Sequence, residues 1–436
     1  MDSEYQRVIT RLVLGLLATG CLLSMDAFAQ DGPSTVAQTA DDEVPMVMNN
    51  PGSIVERLEE DEEPKDHLVE FPSDATFKSW YDFKDNLDKK HGLNFGISYT
   101  ALYQKADDSS GPEDDAAGYD LDFSGTWTFA GRGTDTPTML GFGAFKRDTL
   151  GGANIPPQRL FTQYGGLYSN AAPYGENDAV IGEFWIQKKL SKEFGFRVGK
   201  IFPITAYDFF PFKNFRTDFV DFNHVTNNTI PLPGNGLGAF VQYRPLPSTM
   251  LRLGAHDANA DVEKSGFDTY DGELFTIFEI GFDTNLMPRT PGRPPHGHIH
   301  VSFWHQDERE DAGIKDGRCV GLSAVQRFGR FTPFARYGYA DVDDTRGPTS
   351  IEHMANAGVA IDDIFGQSKD RIGIGYTWSE PADPMLDNQQ VIDAYYRVQL
   401  TREIQIGPTL EVTFDPVRNP SEDRVTVWGL RSRVAF

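Results

Sequence analysis

The last fourteen residues of this chain, Asp423 to Phe436, most constrain the fold that it can adopt. Successive side chains of a β-strand point to opposite sides, and one side here is apolar as far as the final residue, although chain ends usually fray into solvent. An aromatic terminus on such a strand is typical of outer-membrane barrels, whose last strand pairs with the first. A soluble β-sandwich, in which the apolar side packs on a core, is the alternative. The apolar row is Thr426, Trp428, Leu430, Val434 and Phe436, interrupted only by the small polar Ser432, and the opposite row is Val425, Val427, Gly429, Arg431 and Arg433.

Alternation with a period of two continues along the chain from Gly92 onward. About ten residues let a tilted strand cross a bilayer, and bacterial barrels have an even number of strands. We therefore predict an all-β fold, a transmembrane antiparallel β-barrel of about sixteen strands, with tight turns at one end and long loops at the other. The segments are 93–100, 119–129, 138–147, 178–190, 194–201, 237–244, 249–256, 273–283, 296–306, 316–328, 331–340, 355–362, 371–378, 391–402, 406–415 and 423–436.

The first 29 residues have the pattern of an export signal, with a basic start, an apolar run over 12–25 and a small-x-small site at 27–29. Cys21 lies in a poor lipobox, so lipoprotein processing is a minor alternative, and without the signal Cys319 is the single cysteine. The mean hydropathy of −0.42 excludes a helical membrane protein. We predict a signal peptide over 1–29, an acidic and disordered segment over 30–72, and the barrel with a short lead-in helix over 73–436.

The charge of the chain is strongly negative, at −24, and excludes nucleic acid, which binds clustered lysine and arginine. Much of it lies in 31–71, for which we predict a solvated tail that the channel does not need; contact with the periplasm or cell wall is the alternative. After it, Phe77, Trp80, Phe83 and Leu87 are spaced by three and four. That spacing predicts a short amphipathic helix at the barrel mouth, capped by Asp74.

Several short motifs are grouped in residues 180–210. Residues 183–187 are Glu, an apolar residue, Trp, an apolar residue and Gln. Val-Gly-Lys follows at 198–200 and Asp-Phe at 208–209. In these motifs, and in shorter ones between residues 231 and 433, the chain resembles the carbohydrate-selective porin family over about residues 75–436. The resemblance implies a sixteen-stranded barrel that passes sugars by diffusion. The family often has glutamate where this chain has Gln187, a difference that bears on charge selectivity.

The strand over 178–190 also indicates a sugar channel by its own residue types. Glu183, Trp185 and Gln187 share with Lys189 the side that should line the lumen, and the first three form a column about 13 Å long. Val180, Phe184 and Ile186 take the lipid side. Hydroxylated solutes need hydrogen-bond acceptors, donors and an aromatic face, although any water-filled lumen holds such residues. The other candidate pore-lining residues are Arg197, Lys200, Asp208, Glu279, Arg431 and Arg433. Of these, Lys200 is expected at a strand end or beyond a bulge.

Two long loops could also reach the column. If the loop over 148–177 or the loop over 202–236 folds inward, it would bring Arg159, Arg216 or Asp208 opposite the column.

Two constellations favour other chemistries less strongly. His296, His298 and His300 alternate on one side of a strand, but neighbours about 7 Å apart do not comfortably share one metal ion. A barrel enzyme would need a serine beside a histidine such as His305, and no partner serine is identifiable.

The sequence therefore predicts an outer-membrane channel for passive diffusion of mono- or small oligosaccharides, with no enzymatic activity and no cofactor. A general or anion-preferring porin is the alternative, and a barrel enzyme a weaker one. The expected partners are carbohydrate solutes, outer-membrane lipid and lipopolysaccharide, with a monomer or homotrimer as the assembly. The expected location is the outer membrane of a bacterial cell.

Overall fold

The alternating segments form sixteen antiparallel strands that close into a barrel, each strand paired with its neighbours in the chain. The computed structural model describes residues 48–63, 67–69, 76–171, 174–284, 297–342, 344–366 and 370–436; the signal sequence lies outside them. The strands are β1 (Leu93–Ala106), β2 (Asp115–Ala130), β3 (Thr138–Thr149), β4 (Asn177–Lys189), β5 (Phe194–Ile201), β6 (Gly236–Leu246), β7 (Thr249–Asp257), β8 (Leu274–Asp283), β9 (Gly297–Gln306), β10 (Gly317–Gln326), β11 (Phe331–Val342), β12 (Ile351–Asp362), β13 (Arg371–Pro381), β14 (Gln389–Gln399), β15 (Ile404–Phe414) and β16 (Arg424–Ala435). The helices are α1 (Ile54–Glu62), α2 (Lys78–His91), α3 (Leu160–Tyr164) and α4 (Phe222–Val225), with 3-10 turns at Pro157–Arg159, Pro203–Thr205 and Asp344–Arg346.

The barrel closes between β1 and β16, as the last strand predicts. Their register runs from Ser98 opposite Ala435 to Ala106 opposite Val427. Phe436 continues the ladder, because its N–H donates to the carbonyl of Ile97 at 2.9 Å. The prediction of a sixteen-stranded antiparallel barrel is confirmed, and the strand bounds differ from the predicted ones mainly at the ends.

The two sides of the strands separate apolar from polar side chains. Trp428 and Leu430 are 48% and 47% exposed on the outside, whereas Arg431 and Arg433 are buried inside. An apolar exterior and a polar interior are what a barrel needs in lipid. Turns such as 190–193 and 400–403 are tight and the loops over 150–176 and 202–235 are long, as predicted.

The long loop between β5 and β6 folds into the barrel. Phe210, Phe212 and Phe219 are buried, and their rings pack on two strands of the wall. Phe210 contacts Phe334 of β11 with ring centroids 4.9 Å apart, and Phe219 contacts Tyr395 of β14 at 5.0 Å. These aromatic contacts hold the loop across the lumen, where it narrows the passage.

Helix α2 lies at the end of the barrel where β1 begins. It ends at Gly92, which adopts a left-handed conformation with φ 71° that glycine tolerates best. Phe77 packs on Phe436 at 5.0 Å and Trp80 packs edge-on against Phe95 at 5.6 Å. The predicted amphipathic helix is confirmed and ends four residues later than expected; its predicted cap, Asp74, lies outside the described residues. Among the described residues, no helix has the length and apolar character needed to cross a membrane.

The acidic stretch before α2 is not a solvated tail where the structure describes it. Helix α1 begins after Ser53, whose hydroxyl accepts from the N–H of Glu56, and it buries Ile54 and Leu58 among lumen side chains. The composition argument was wrong for residues 48–63, because they form a helix whose Glu60 and Asp61 pair with arginines of the barrel wall. The division of the rest of 30–72 stays a prediction.

Candidate pore constriction

The predicted column lies inside the barrel on β4. Glu183, Trp185 and Gln187 are all buried, and the indole N–H of Trp185 donates to Glu183 at 3.0 Å. One prediction on this strand is wrong: Ile181, at 62% exposed, takes the outward row in place of Val180, because the register shifts by one residue at Gly182. The column itself begins after that bulge and so keeps its parity. Its role in transport stays a prediction.

Arg197, on the neighbouring strand β5, completes the column. Its guanidinium lies 3.9 Å from the centre of the Trp185 ring and donates to the amide oxygen of Gln187 at 2.6 and 3.1 Å. The same group donates to Asn49 at 2.5 Å. A cation stacked on tryptophan gains up to about 2 kcal/mol when it is desolvated. Trp185 is thereby held flat against the wall.

A second polar group joins the inward loop to β8, β9 and β11. Asp208 adopts φ 53°, which lets its N–H donate to Glu279 at 2.6 Å while its carboxylate pairs with Arg336 and, at 3.5 Å, with Lys213. Burial raises the pKa of Asp208, but the charges of Arg336 and Lys213 outweigh burial and hold that pKa well below its ordinary value. Burial lowers the pKa of Lys213 to about 8 against the opposing charge of Asp208. Asp208 and Glu279 thus fix the loop to the wall as a buried charged network.

A third group surrounds two carboxylates of β2. Arg216 of the inward loop lies 2.6 Å from Asp120 and 3.2 Å from Asp122, and Arg57 of α1 lies 2.9 Å from Asp122. A cavity of about 30 Å³ lies beside them, lined also by Glu183. The loop therefore brings Arg216 near the column, as predicted.

The fourth group is a wall of arginines on β14 and β16. Arg433 pairs with both carboxylate oxygens of Asp61 at 2.7 Å, and Arg397 lies 3.3 Å from Glu60. Arg431 donates to the carbonyl of Phe215 at 2.9 Å. The predicted lumen positions of Arg431 and Arg433 are consistent with this geometry.

Two predicted residues lie elsewhere. Lys200, on the outward parity at the end of β5, donates to the carbonyls of Val262 and Lys264 at 2.8 and 2.5 Å, so it belongs to the loop after β7 and not to the lumen. The side chain of Arg159 is 66% exposed and lies 3.7 Å from Glu176. Lys200 was misplaced in the lumen although its parity points outward, and Arg159 was misplaced because strand parity does not describe a loop.

The histidine stripe forms separate pairs. His298 hydrogen-bonds Asp283 at 2.9 Å and His300 hydrogen-bonds Asp208 at 3.3 Å; His296 lies outside the described residues. Over the described ranges, no group of three histidine, cysteine, aspartate or glutamate side chains could hold a metal ion. His305 is half exposed near Asp307, on the lipid-side parity expected for it. His298 also packs on Phe209 of the inward loop with ring centroids 4.5 Å apart, so the two buried imidazoles brace the loop against the wall.

Sequence reasoning missed several lumen residues that strand parity could have found. Arg252 of β7 and Arg397 of β14 occupy inward positions, as do Asp120 and Asp122. Helix α1 had a weaker signal, a serine cap before two apolar residues four apart, Ile54 and Leu58. The acidic residues around Ile54 and Leu58 concealed this helix signal.

Comparison with known proteins matches the last part of the chain to a family model and the barrel to solved porin structures. Residues 320–436 match the model of the carbohydrate-selective porins, the OprB family, so the resemblance is confirmed there. The structure is similar to the high-pH structure of OprB from Pseudomonas putida, with TM-score 0.62 and 13% identity over 82% of this chain and 97% of that one. An anion-selective porin from Comamonas acidovorans gives TM-score 0.47 and 11% identity over 79% and 99%. No curated protein matches the sequence. At these identities, the likeness between structures shows the fold.

Proposed function

We propose that this chain, whose residues 320–436 carry the pattern of the carbohydrate-selective porins, is an outer-membrane channel for mono- or small oligosaccharides. The observation that supports it most is the column of Glu183, Trp185 and Gln187 completed by Arg197. It offers a carboxylate, an amide, an indole face and a guanidinium along one wall of a closed barrel.

The chemistry of this column suits hydroxylated solutes. The carboxylate and amide oxygens accept from sugar hydroxyls, and the guanidinium donates to them. The indole face can pack against the C–H side of a pyranose ring once the guanidinium of Arg197 moves off it. A channel needs several modest sites rather than one tight site, because a tightly held solute leaves slowly. Contacts spread along a strand meet that requirement.

The membrane arrangement follows from the barrel. We place the tight turns and α2 on the periplasmic side, and the long loops outside, where they contact lipopolysaccharide. Lipid covers the apolar exterior. The assembly is a monomer or a homotrimer.

An anion-preferring porin is the second candidate function, and the arginines at 397, 431 and 433 favour it. Liposome swelling separates the two. Liposomes that contain the protein should swell with glucose, maltose and arabinose at rates that fall with solute size, and faster than with an uncharged polyol of equal mass. Equal rates for polyol and sugar would contradict sugar selectivity, and a marked preference for chloride would favour the anion channel.

A further inference from the structure

We propose that residues 48–63, the lumen segment, act as a displaceable plug, and that their carboxylates occupy an arginine site which binds the carboxylate of an acidic sugar. The proposal rests on the proposed channel function. It adds to that function a closed state and a class of solute, the monocarboxylate sugars of the hexuronate type.

The lumen segment contacts the barrel at widely separated strands. Near its start, Asn49 accepts from Arg197 of β5 at 2.5 Å and Asn50 accepts from Arg252 of β7 at 3.2 Å. Arg57 then pairs with Asp122 of β2. Glu60 and Asp61 face β14 and β16. The segment therefore crosses the lumen from one wall to the opposite one.

The docked segment leaves little free space. The cavities beside it have volumes of about 30 and 10 Å³, which is room for roughly one to three water molecules. A monosaccharide fits in neither. Sugar passage past this point therefore needs the segment to move.

Most contacts that hold the segment are polar, so a solute with similar polar groups can replace them. The segment's buried apolar side chains are few, namely Met48, Pro51, Ile54 and Leu58, with Val55 partly buried, and its polar contacts are ion pairs and amide hydrogen bonds. The carboxylates of α1 also repel one another. Burial, and then the charges of Glu59 and Glu60, raise the pKa of Glu56 to about 7.

The far end of the segment lies at the periplasmic mouth. Glu62 is 3.2 Å from Lys84 of α2, and the N–H groups of Leu68 and Val69 donate to the carbonyls of Gln399 and Leu400. Displacement about this end would carry the segment out of the barrel on the tight-turn side.

The arginine wall is suited to a carboxylate other than that of the plug. A cavity between the inward loop and the wall is lined by arginines and neutral residues without a carboxylate: Arg216, Thr217, Arg397, Gln405, Ile406, Gly407, Arg431 and Arg433. Within the described part of the chain, the buried Nε groups of Arg397 and Arg433 donate no hydrogen bond. When Asp61 leaves, Arg433 loses a two-point carboxylate pair, whereas Arg397 keeps Asp218 at 3.5 Å.

A guanidinium binds carboxylates through paired hydrogen bonds, so a solute carboxylate can take the place of Asp61. The amide of Gln405 and the hydroxyl of Thr217 lie beside the same cavity and can hydrogen-bond the sugar hydroxyls. The plug thus stands where an acidic sugar would bind.

The first test is conductance of the mature protein in planar bilayers. Asp61→Asn should raise the ratio of open to closed time about tenfold, because a two-point charged contact is lost. Asp85→Asn is the matched control, since Asp85 pairs with Lys89 on the exposed face of α2 and should leave the ratio unchanged. Millimolar sodium glucuronate should raise the wild-type open fraction severalfold, and glucose should not. Equal ratios for both variants would overturn the plug, and equal effects of glucuronate and glucose would overturn the arginine site.

The second test does not depend on conduction. Ser53→Cys in a Cys319→Ser background places a thiol at a buried position of the segment, where a membrane-impermeant maleimide should react slowly. Glucuronate, or the added change Asp61→Asn, should speed the reaction severalfold. If labelling responds in this way but the inserted protein never conducts, the proposed channel function is refuted and the proposal of a displaceable segment is still supported. Labelling that is fast and independent of both would overturn the docked state.

Discussion

Replacing Trp185 by alanine tests whether the β4 column forms the sugar path. The indole is buried, donates to Glu183 at 3.0 Å and supports the guanidinium of Arg197 at 3.9 Å. Truncation of a buried aromatic costs about 3–5 kcal/mol of stability. The closed barrel with all sixteen strand pairs should tolerate this cost, so the variant should still assemble.

The expected loss of sugar-binding free energy is smaller than the expected loss of folding stability. Loss of an aromatic face removes about 0.5–1.5 kcal/mol of packing, which corresponds to roughly a 2- to 10-fold weaker sugar affinity. Small-ion conductance should stay equal or rise, because part of the wall has been removed. Sugar affinity should therefore fall while small-ion conductance does not.

The assay is sugar block of ion current in planar bilayers, measured in an Asp61→Asn background so that plug closure does not limit the current. Trp428→Ala is the matched control, because Trp428 is half exposed on the lipid side of β16 and packs on Tyr103. That variant should keep wild-type sugar block. If Trp185→Ala kept both wild-type sugar block and wild-type permeation, the column would not form the constriction, and the selective residues would have to be on the loops.

Three further changes give distinct readouts. Glu183→Ala should shift sugar affinity and ion selectivity together, since one carboxylate serves both; a change in only one, measured by block and reversal potential, would separate the roles. Deletion of Phe436 should lower the yield of assembled barrel more than transport per assembled barrel, because that residue pairs with Ile97 at the seam; normal yield with altered selectivity would contradict this. The raised pKa of Glu56, about 7, means that docking of the plug is favoured below about pH 4.5 and weakens as the pH rises through 7, so the open fraction should grow between pH 5 and 8. Glu56→Gln should flatten that dependence, and an unchanged slope in the variant would assign the titration to another group.

Strand number, closure and sidedness could be predicted from the sequence because a strand has only two sides. Once Trp428 faces lipid, Arg431 and Arg433 must face the lumen, and the same parity places Trp185 inside. The limits of parity are visible at Gly182, where one extra residue moves Ile181 into the outward row.

The lumen segment could not be predicted because its partners are distant in the chain. The run around Asp61 has the composition of a solvated tail, and its neighbours in sequence offer it almost no cation. Its arginine partner, Arg433, is 372 positions away. Composition gives the charge of a segment, but the folded barrel determines which side chains that charge pairs with.

The seam between β1 and β16 has a consequence for the order of folding. Ser98 pairs with Ala435, so this contact closes a loop of more than 300 residues, whereas every other strand pair joins neighbours in the chain. Contacts between distant residues form slowly, since chain entropy must be lost before they stabilise anything. Helix α2 packs on both sides of this seam through Phe95 and Phe436. Its docking should therefore be among the last events of assembly and should report, as a change in tryptophan fluorescence from Trp80, the moment at which the barrel becomes a closed cylinder.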